Sequence, residues 1–453
     1  MTRPSALFLP AAPGIPEQLG TRADAEALTG ALARAGEALA SRSVLEIASA
    51  LGRVGLCFLD PDDPVRRKAS EGVAAEAGLS AEAADAIVTG MARGWTPEGL
   101  GRMVRADFPD PLVLDGFRPA GFGGKLRAVG GRFAVHIGAG SVPGVSATSM
   151  IRSLLVKCPL LLKPGRGDTV LAPLFARVLA ASDPELARAV AIVYWPGGEG
   201  GPLEEHALGT ADRVVAYGSL ELIRLLRRWI PPATPLVAYH HRLSAGGVAR
   251  ECVEPVPEAG TVLRAAARAV VTFEQRGCVS PRIIWVEEGG AVSPPVWGAQ
   301  LFDALELLAA ELPHGTESLP AAAARRQERE RWMLREAAGT GHRIFSRSPG
   351  GAAVLYEPDP FAPLRLPAAG RTVVVRPIES LSKLPAALAP GRSILQTFAL
   401  AAPPGRIGEL AEILAVTGVR RVSSFEEQSW PPAWWRHDGT GPLHALVSWT
   451  SAP

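Results

Sequence analysis

VSATSMIRSLLVKCPLLLKPGRGDT, residues 145–169, decides the fold. Its apolar residues recur at three- and four-residue spacing from 145 to 157, which predicts a helix. PLLLKP (159–164) is then an unbroken apolar run closed by proline, the pattern of a strand buried on both faces. Toward the C-terminus the alternation continues with a helix over 169–181, strand AVAIVYW (189–195) and the glycine-rich turn PGGEGG (196–201). Strand RVVAY (213–217) and helix LELIRLLRRW (220–229) follow. Strands alternating with helices of this length predict a parallel, doubly wound α/β sheet. A second α/β unit begins near 260, with helix TVLRAAARAVVTF, a loop through Cys278, strand RIIWVEE and a helix beginning at Trp297.

Toward the N-terminus, residues 112–144 hold short apolar runs broken by glycines, which predict a hairpin-like arm at 115–137 and a loop at 138–144. Residues 22–105 are rich in Ala, Leu, Glu and Arg at helical spacing, with LDPDDP (59–64) and GLS (78–80) as breaks. The mixed-charge stretch 318–338 predicts a solvated helix face, and the aromatic, Pro/Gly-rich tail ends in a strand.

The chain has 453 residues, 47% of them hydrophobic and 20% charged, the composition of a soluble globular protein of two or three domains. Disorder is excluded, and 47 basic against 45 acidic side chains leave no global field for nucleic acid or anionic lipid. Cys57, Cys158, Cys252 and Cys278 form no C-x-x-C and no Cys/His cluster, so neither a disulfide framework nor a metal site is expected. A reducing cytoplasmic setting fits. No run of 18 uncharged apolar residues predicts a membrane span, and the proline-broken start of the chain predicts no signal peptide.

FEQRGCVSP (273–281) sets Cys278 on a loop between an apolar helix and an apolar strand, where it reads either as a small core residue or as a nucleophile. Lys163, Pro164 and Arg166 close a buried strand at the sheet edge where open α/β folds bind ligands. In AYGSLELI (216–223), Gly218 and Ser219 open a helix directly after a strand; this is either an ordinary cap or a place for a phosphate. No G-x-G-x-x-G follows a strand.

In this order, the 138–144 loop, the Lys-Pro strand end, the strand-Gly-Ser-helix and the loop cysteine resemble the aldehyde dehydrogenase superfamily. More narrowly they resemble the acyl-CoA reductases of the LuxC family, down to the tail segments SWPPAWWRHDG and ALVSW. The resemblance implies an aldehyde dehydrogenase-like α/β fold: a nucleotide-binding doubly wound sheet, a second catalytic α/β domain and a small oligomerisation arm. It implies domains at 1–255, 256–395 and 396–453, the last returning to the nucleotide-binding domain.

By the same resemblance, Cys278 accepts an acyl group from a thioester, Lys163 contacts the cofactor ribose, and Gly218 and Ser219 flank the pyrophosphate. Arg166 stands where members preferring the non-phosphorylated cofactor often carry an acid. A cation there suits a 2′-phosphate, so NADPH is expected with NADH as the alternative; an exposed loop arginine is the ordinary reading.

The chain departs from the superfamily twice. VAYHHRLSAGG (237–247) has no acid where hydrolytic members carry their water-activating glutamate, leaving His240 or His241 as the only base candidates there against a structural role. Ser141 stands where an oxyanion-binding Asn is usual. Glu357 in LYEPDPFAP (355–363) loosely matches the acid that touches the nicotinamide ribose, and a plain turn is the alternative. Glu274 reads as a solvent-facing loop or helix-end residue, Cys158 as core-adjacent, and Arg276 as a neighbour that lowers the Cys278 pKa if it points inward.

The expected reaction is reduction of an acyl thioester, on CoA or a carrier, to an aldehyde through Cys278. It implies an acyl-activating partner enzyme and a homo-oligomer, with the arm and Trp430, Trp434 and Trp435 as subunit contacts or as packing on their own domain. The same fold also suits an acylating aldehyde dehydrogenase, a semialdehyde or acyl-phosphate reductase, and a cofactor-free or degenerate acyl-binding member.

Overall fold

The computed structural model describes residues 4–10, 15, 19–121, 123–197, 201–254, 261–365 and 367–453. Five helices, Arg22–Ser41, Val44–Cys57, Pro64–Ala77, Ala81–Ala92 and Pro97–Asp107, occupy the stretch read as helical. The first opens on a capping box in which Thr21 Oγ1 accepts from Asp24 N–H (3.1 Å) and Asp24 accepts from Thr21 N–H (2.8 Å).

The chain divides into two units, one of residues 1–77, 84–240 and 432–453, the other of residues 78–83 and 241–431. The first unit contains β1 (Ser5–Phe8), β2 (Arg118–Pro119), β3 (Lys125–Gly130), β4 (Ala134–Ile137), β5 (Leu160–Lys163), β6 (Val190–Tyr194), β7 (Arg213–Tyr217) and β8 (Leu236–Tyr239). Six of them form a sheet in the order β1-β6-β5-β4-β7-β8, parallel except at β1. Its central strands are buried along their length, and Val135, Leu161, Ala191 and Val214 share a core with Leu28 and Leu32 of the first helix. Covered on both faces, such strands read as unbroken apolar runs, which makes them legible in the sequence.

The second unit contains β9 (Leu243–Val248), β10 (Pro281–Glu287), β11 (Arg343–Phe345), β12 (Ala353–Tyr356), β13 (Thr372–Ile378), β14 (Leu395–Ala401) and β15 (Arg421–Ser423). They make a seven-stranded sheet, β11-β12-β13-β10-β9-β14-β15, parallel except at β11. In β9 a Cβ on Gly246 would lie 2.6 Å from the Phe425 ring, so the missing side chain makes room for an aromatic one. The last strand, β16 (Val447–Ala452), belongs to the first unit and pairs antiparallel with β3, which pairs with β2.

Three expectations need correction. The arm ends at Gly130, not 137, because AVHI at 134–137 is the buried strand β4 between β5 and β7. The units part at His240/His241 and at Pro431/Pro432 rather than near 255 and 395, because β9, β14 and β15 all hydrogen-bond into the second sheet. Residues 255–260 lie outside the described residues. The mixed-charge helix Leu319–Ala337 is not solvated throughout: Arg325 and Arg329 are buried and donate to carbonyls of the 348–351 segment.

Candidate active site

In the first unit, Ser141, Lys163, Arg166, Gly218 and Ser219 gather at the carboxyl ends of β4, β5 and β7, three adjacent parallel strands. Gly138 N–H donates to the Lys163 carbonyl (2.7 Å), so the 138–144 loop leaves β4 alongside the end of β5. The two loops then meet backbone to backbone. A Cβ on Gly140 would sit 1.5 Å from the Arg166 carbonyl oxygen, and one on Gly165 would sit 2.2 Å from Gly140 N. Only glycine permits that approach.

Past the loop, helix Val145–Leu155 starts after Gly144 at φ 95° with no capping side chain of its own. Asp168 supplies the cap from the next loop: its carboxylate accepts from Gly144 N–H (2.7 Å) and Ser146 N–H (2.8 Å). Burial pushes the Asp168 carboxyl up to about 7, against the lowering effect of those hydrogen bonds. Glu76 completes the clasp by accepting from Gly167 N–H (3.0 Å).

Lys163 is 8% exposed, and burial holds its ammonium below the usual lysine range. Its Nζ lies 5.7 Å from the Tyr194 ring centre, and among the described residues no hydrogen bond satisfies it. A desolvated donor of this kind suits a ribose hydroxyl or phosphate oxygen. Arg166 and Ser141 are exposed. Gly218 N–H donates to the Tyr239 carbonyl (3.0 Å), and Ser219 caps the short helix Leu220–Leu226 by accepting from Leu222 N–H (3.2 Å).

In the second unit the chain reaches Cys278 through three successive residues in the left-handed region, Phe273 (φ 59°), Glu274 (φ 50°) and Gln275 (φ 59°). None is glycine, so each carries a strain of about 1–2 kcal/mol that its surroundings must offset. Those surroundings are explicit. Gln275 is fully buried; its Nε2 donates to the carbonyls of Pro281 (2.9 Å) and Thr372 (2.7 Å), and its Oε1 accepts from Thr372 N–H (2.9 Å). Glu274 receives Arg371 Nε (3.0 Å) and Nη2 (2.5 Å), while Arg371, itself fully buried, also donates to the carbonyls of Leu312 and Pro313. Phe273 packs edge-on against Trp430 at 5.1 Å.

Beyond the turn, Ser244 Oγ of β9 donates to the Cys278 carbonyl (2.6 Å) and accepts from Thr397 N–H (3.1 Å). Cys278 is half-buried between buried Gly277 and Val279, so the nucleophile candidate is the exposed point of a fixed loop at the start of β10. Cys158, by contrast, is buried and its thiol is pushed up to about 12 by burial, which makes it inert.

One reading is corrected here. Glu274 is not solvent-facing: burial would raise its carboxyl, but His314 and Arg371 hold it down at about 2. Glu357, read as a contact to the nicotinamide ribose or as a plain turn, follows β12, whose Tyr356 pairs with Val375 at the level of Ile284, about 10 Å along the parallel strands from the start of β10. Its carboxylate is engaged by His342 (3.2 Å), Arg335 (3.9 Å) and Asp359 N–H (3.3 Å).

Of the tail tryptophans, Trp430 packs on Phe273 and Trp435 on His437 (4.5 Å), both within their own units, while Trp434 is exposed. Among the described residues no His/Cys/Asp/Glu group suits a metal, and no helix is long and apolar enough to cross a membrane. Sequence reading missed Asp168, Ser244, Gln275 and Arg371. The one usable signal was the FEQ triplet ahead of the cysteine, whose partners lie about a hundred residues away.

Solved structures of aldehyde dehydrogenases share this fold. Aldehyde dehydrogenase 21 from Physcomitrella patens superposes with TM-score 0.72 at 12% identity, covering 96% of this chain and 91% of that one. The NAD-dependent benzaldehyde dehydrogenase from Corynebacterium glutamicum gives 0.71 at 15% identity, covering 100% and 95%. The profile of the acyl-CoA reductase (LuxC) family matches residues 39–449, and the chain belongs to that family. A long-chain acyl-protein thioester reductase of Aliivibrio fischeri is 25% identical over 49% of this chain, and the match spans 45% of that relative, less than half of its length. A long-chain acyl-protein thioester reductase 2 of Photobacterium leiognathi is 22% identical over 77% of this chain and 70% of its own.

Proposed function

We propose that this protein reduces a long-chain acyl thioester to an aldehyde with NADPH, carrying the acyl group on Cys278. The observation behind the reading is Cys278 itself, a half-exposed thiol on a turn pinned by three buried side chains, in a chain of the acyl-CoA reductase (LuxC) family. A strained, over-determined turn ahead of a nucleophile is what pre-organised attack requires.

The Cys278 thiolate attacks the acyl carbon, forming a new C–S bond; the carrier's C–S bond breaks and the carrier thiol leaves with a proton. We assign oxyanion stabilisation to the Cys278 backbone N–H and the Ser141 hydroxyl. When bound, the reduced nicotinamide supplies hydride to the acyl carbon. Cys278 then departs as thiolate, its C–S bond breaks, and the aldehyde is released. Lys163 binds the cofactor ribose, Gly218 and Ser219 flank its pyrophosphate, and Arg166, which has no partner among the described residues, meets a 2′-phosphate. Glu357 is left out of these contacts because its carboxylate is already engaged. No carboxylate occurs in 237–247 to activate water, so the acyl-enzyme persists long enough to be reduced.

The relatives' names point to a protein-bound acyl group and the family's description to acyl-CoA. We therefore propose a thioester supplied by an acyl-activating partner enzyme, acting in the cytoplasm on a homo-oligomer that uses the β2-β3-β16 sheet. The test follows loss of reduced-nicotinamide absorbance with NADPH and NADH against acyl-CoAs of increasing length and an acylated carrier protein. Oxidation that requires both thioester and Cys278 is expected, faster with NADPH. Oxidation undiminished by Cys278→Ala would overturn the reading.

A further inference from the structure

We infer that the second unit carries a phosphomonoester site, separate from the cysteine turn, between helix Leu319–Ala337, β13 and the segment that follows β12. These elements enclose a cavity of about 150 Å³. Glu328, Arg331, Trp332 and Arg335 form one wall, spaced as one face of the helix, and Arg376 and Arg365 come from the other two sides.

The charges around it do not balance. Glu328 is held by Arg331 (3.0 Å) and by Trp332 Nε1 (3.0 Å), and Glu357 by His342 and Arg335, so both carboxylates are committed. Arg376 and Arg365 make no direct ion pair among the described residues. Arg376 is 3% exposed; it donates only to the carbonyls of Ala362 (2.7 Å) and Pro363 (3.0 Å), it forms no ion pair among the described residues, and its Nε is buried without a partner. The exposed Arg365 guanidinium has no partner among the described residues. The acidic groups that act on Arg376, Glu357 and Asp359, form no direct ion pair with it and accept hydrogen bonds elsewhere; a buried guanidinium so placed, lining a cavity beside a second guanidinium that has no partner, defines a place for an anion.

Two guanidiniums without a direct ion pair suit a phosphomonoester, which carries close to two negative charges near neutral pH. Guanidinium forks match phosphate oxygens bidentately. At about 150 Å³ the cavity has room for a phosphate group. The phosphate is inorganic or the end of a larger molecule, such as the 3′-phosphate of CoA. The inference does not rest on the role given to Cys278.

Calorimetric titration of the full chain in phosphate-free buffer tests it, using inorganic phosphate and CoA against dephospho-CoA. Phosphate is expected to bind one site and to bind at least tenfold more weakly to Arg365→Gln, a surface change that leaves the fold intact. Arg347→Gln, an exposed arginine elsewhere on the unit, should bind as the wild type does, and so should Cys278→Ala. A tenfold loss with Arg365→Gln for CoA but not dephospho-CoA assigns the 3′-phosphate, and loss for inorganic phosphate alone assigns the free ion. Arg376→Met, where it folds, should abolish binding altogether. No phosphate binding by the wild type, or equal binding by wild type and Arg365→Gln, would overturn the site.

Discussion

Two buried carboxylates stand behind the two candidate site segments, and burial acts on them with opposite results. Asp168, behind the 138–144 loop, is held by backbone N–H groups with Glu76 nearby, and burial wins, pushing its carboxyl up to about 7. Glu274, behind the cysteine turn, has Arg371 and His314, and stays ionised down to about 2. The backbones differ in the same sense. The loop achieves its close approach with glycines, at Gly140 and Gly165, whereas the turn forces three side-chain-bearing residues into left-handed geometry and relies on ion pairing and amide hydrogen bonds to keep them there. Neutral clasping suffices where the backbone is permissive; a charged, fully satisfied network is needed where it is strained.

The comparison breaks most severely at the glycine contact. Gly140→Ala should destabilise by about 4 kcal/mol or more, read as the urea midpoint, because the new methyl collides with a backbone carbonyl rather than a movable side chain. Arg371→Met should follow at about 3–5 kcal/mol by stranding Glu274, and adding Glu274→Leu should recover much of the loss; no recovery would mean that Arg371 acts mainly through Leu312 and Pro313. Gln275→Ala should lose about 2–3 kcal/mol and slow Cys278 alkylation, with Gln275→Glu failing to restore either because Thr372 and Pro281 carbonyls need a donor.

The pH dependences sharpen the contrast. The folded-state pKa of Asp168 lies above its ordinary value of 3.8, so its contribution to stability is present below about pH 4 and lost as pH rises through about 7. That of Glu274 lies below its ordinary 4.5, so its contribution is present above that pH and lost as pH falls through about 2. Asp168→Asn should flatten the slope between pH 4 and 7, at most ~1.4 kcal/mol per pH unit for one group, and Glu274→Gln only the slope below pH 4.5. The smallest effect is expected from Arg166→Gln, about a tenfold rise in KM for NADPH with little change for NADH.

What the sequence makes legible follows the range of the interactions. The alternation from 145 to 229 can be read because parallel strands buried on both faces write their environment locally, as in Leu160–Leu162 and Val190–Val193. β1 gives too little signal, four residues ahead of Pro10, and β4 merges with the arm because its AVHI run is short and flanked by glycines. Within the site, Cys278, Lys163 and Gly218 announce themselves through neighbours in the chain. Glu274 looks solvent-facing because its partner Arg371 is 97 residues away, and Asp168 gives no sign that it caps a helix starting 23 residues earlier. Charge pairing and capping across such separations leave no periodic trace.

Intact-protein mass measurement after mixing with a long-chain acyl-CoA or acylated carrier protein, without nicotinamide, tests the acyl-enzyme most directly. One acyl group should add to the wild type, map to Cys278, be absent from Cys278→Ala, and leave as aldehyde when NADPH is supplied. An acyl adduct that survives Cys278→Ala, or no adduct with either donor, would contradict the account.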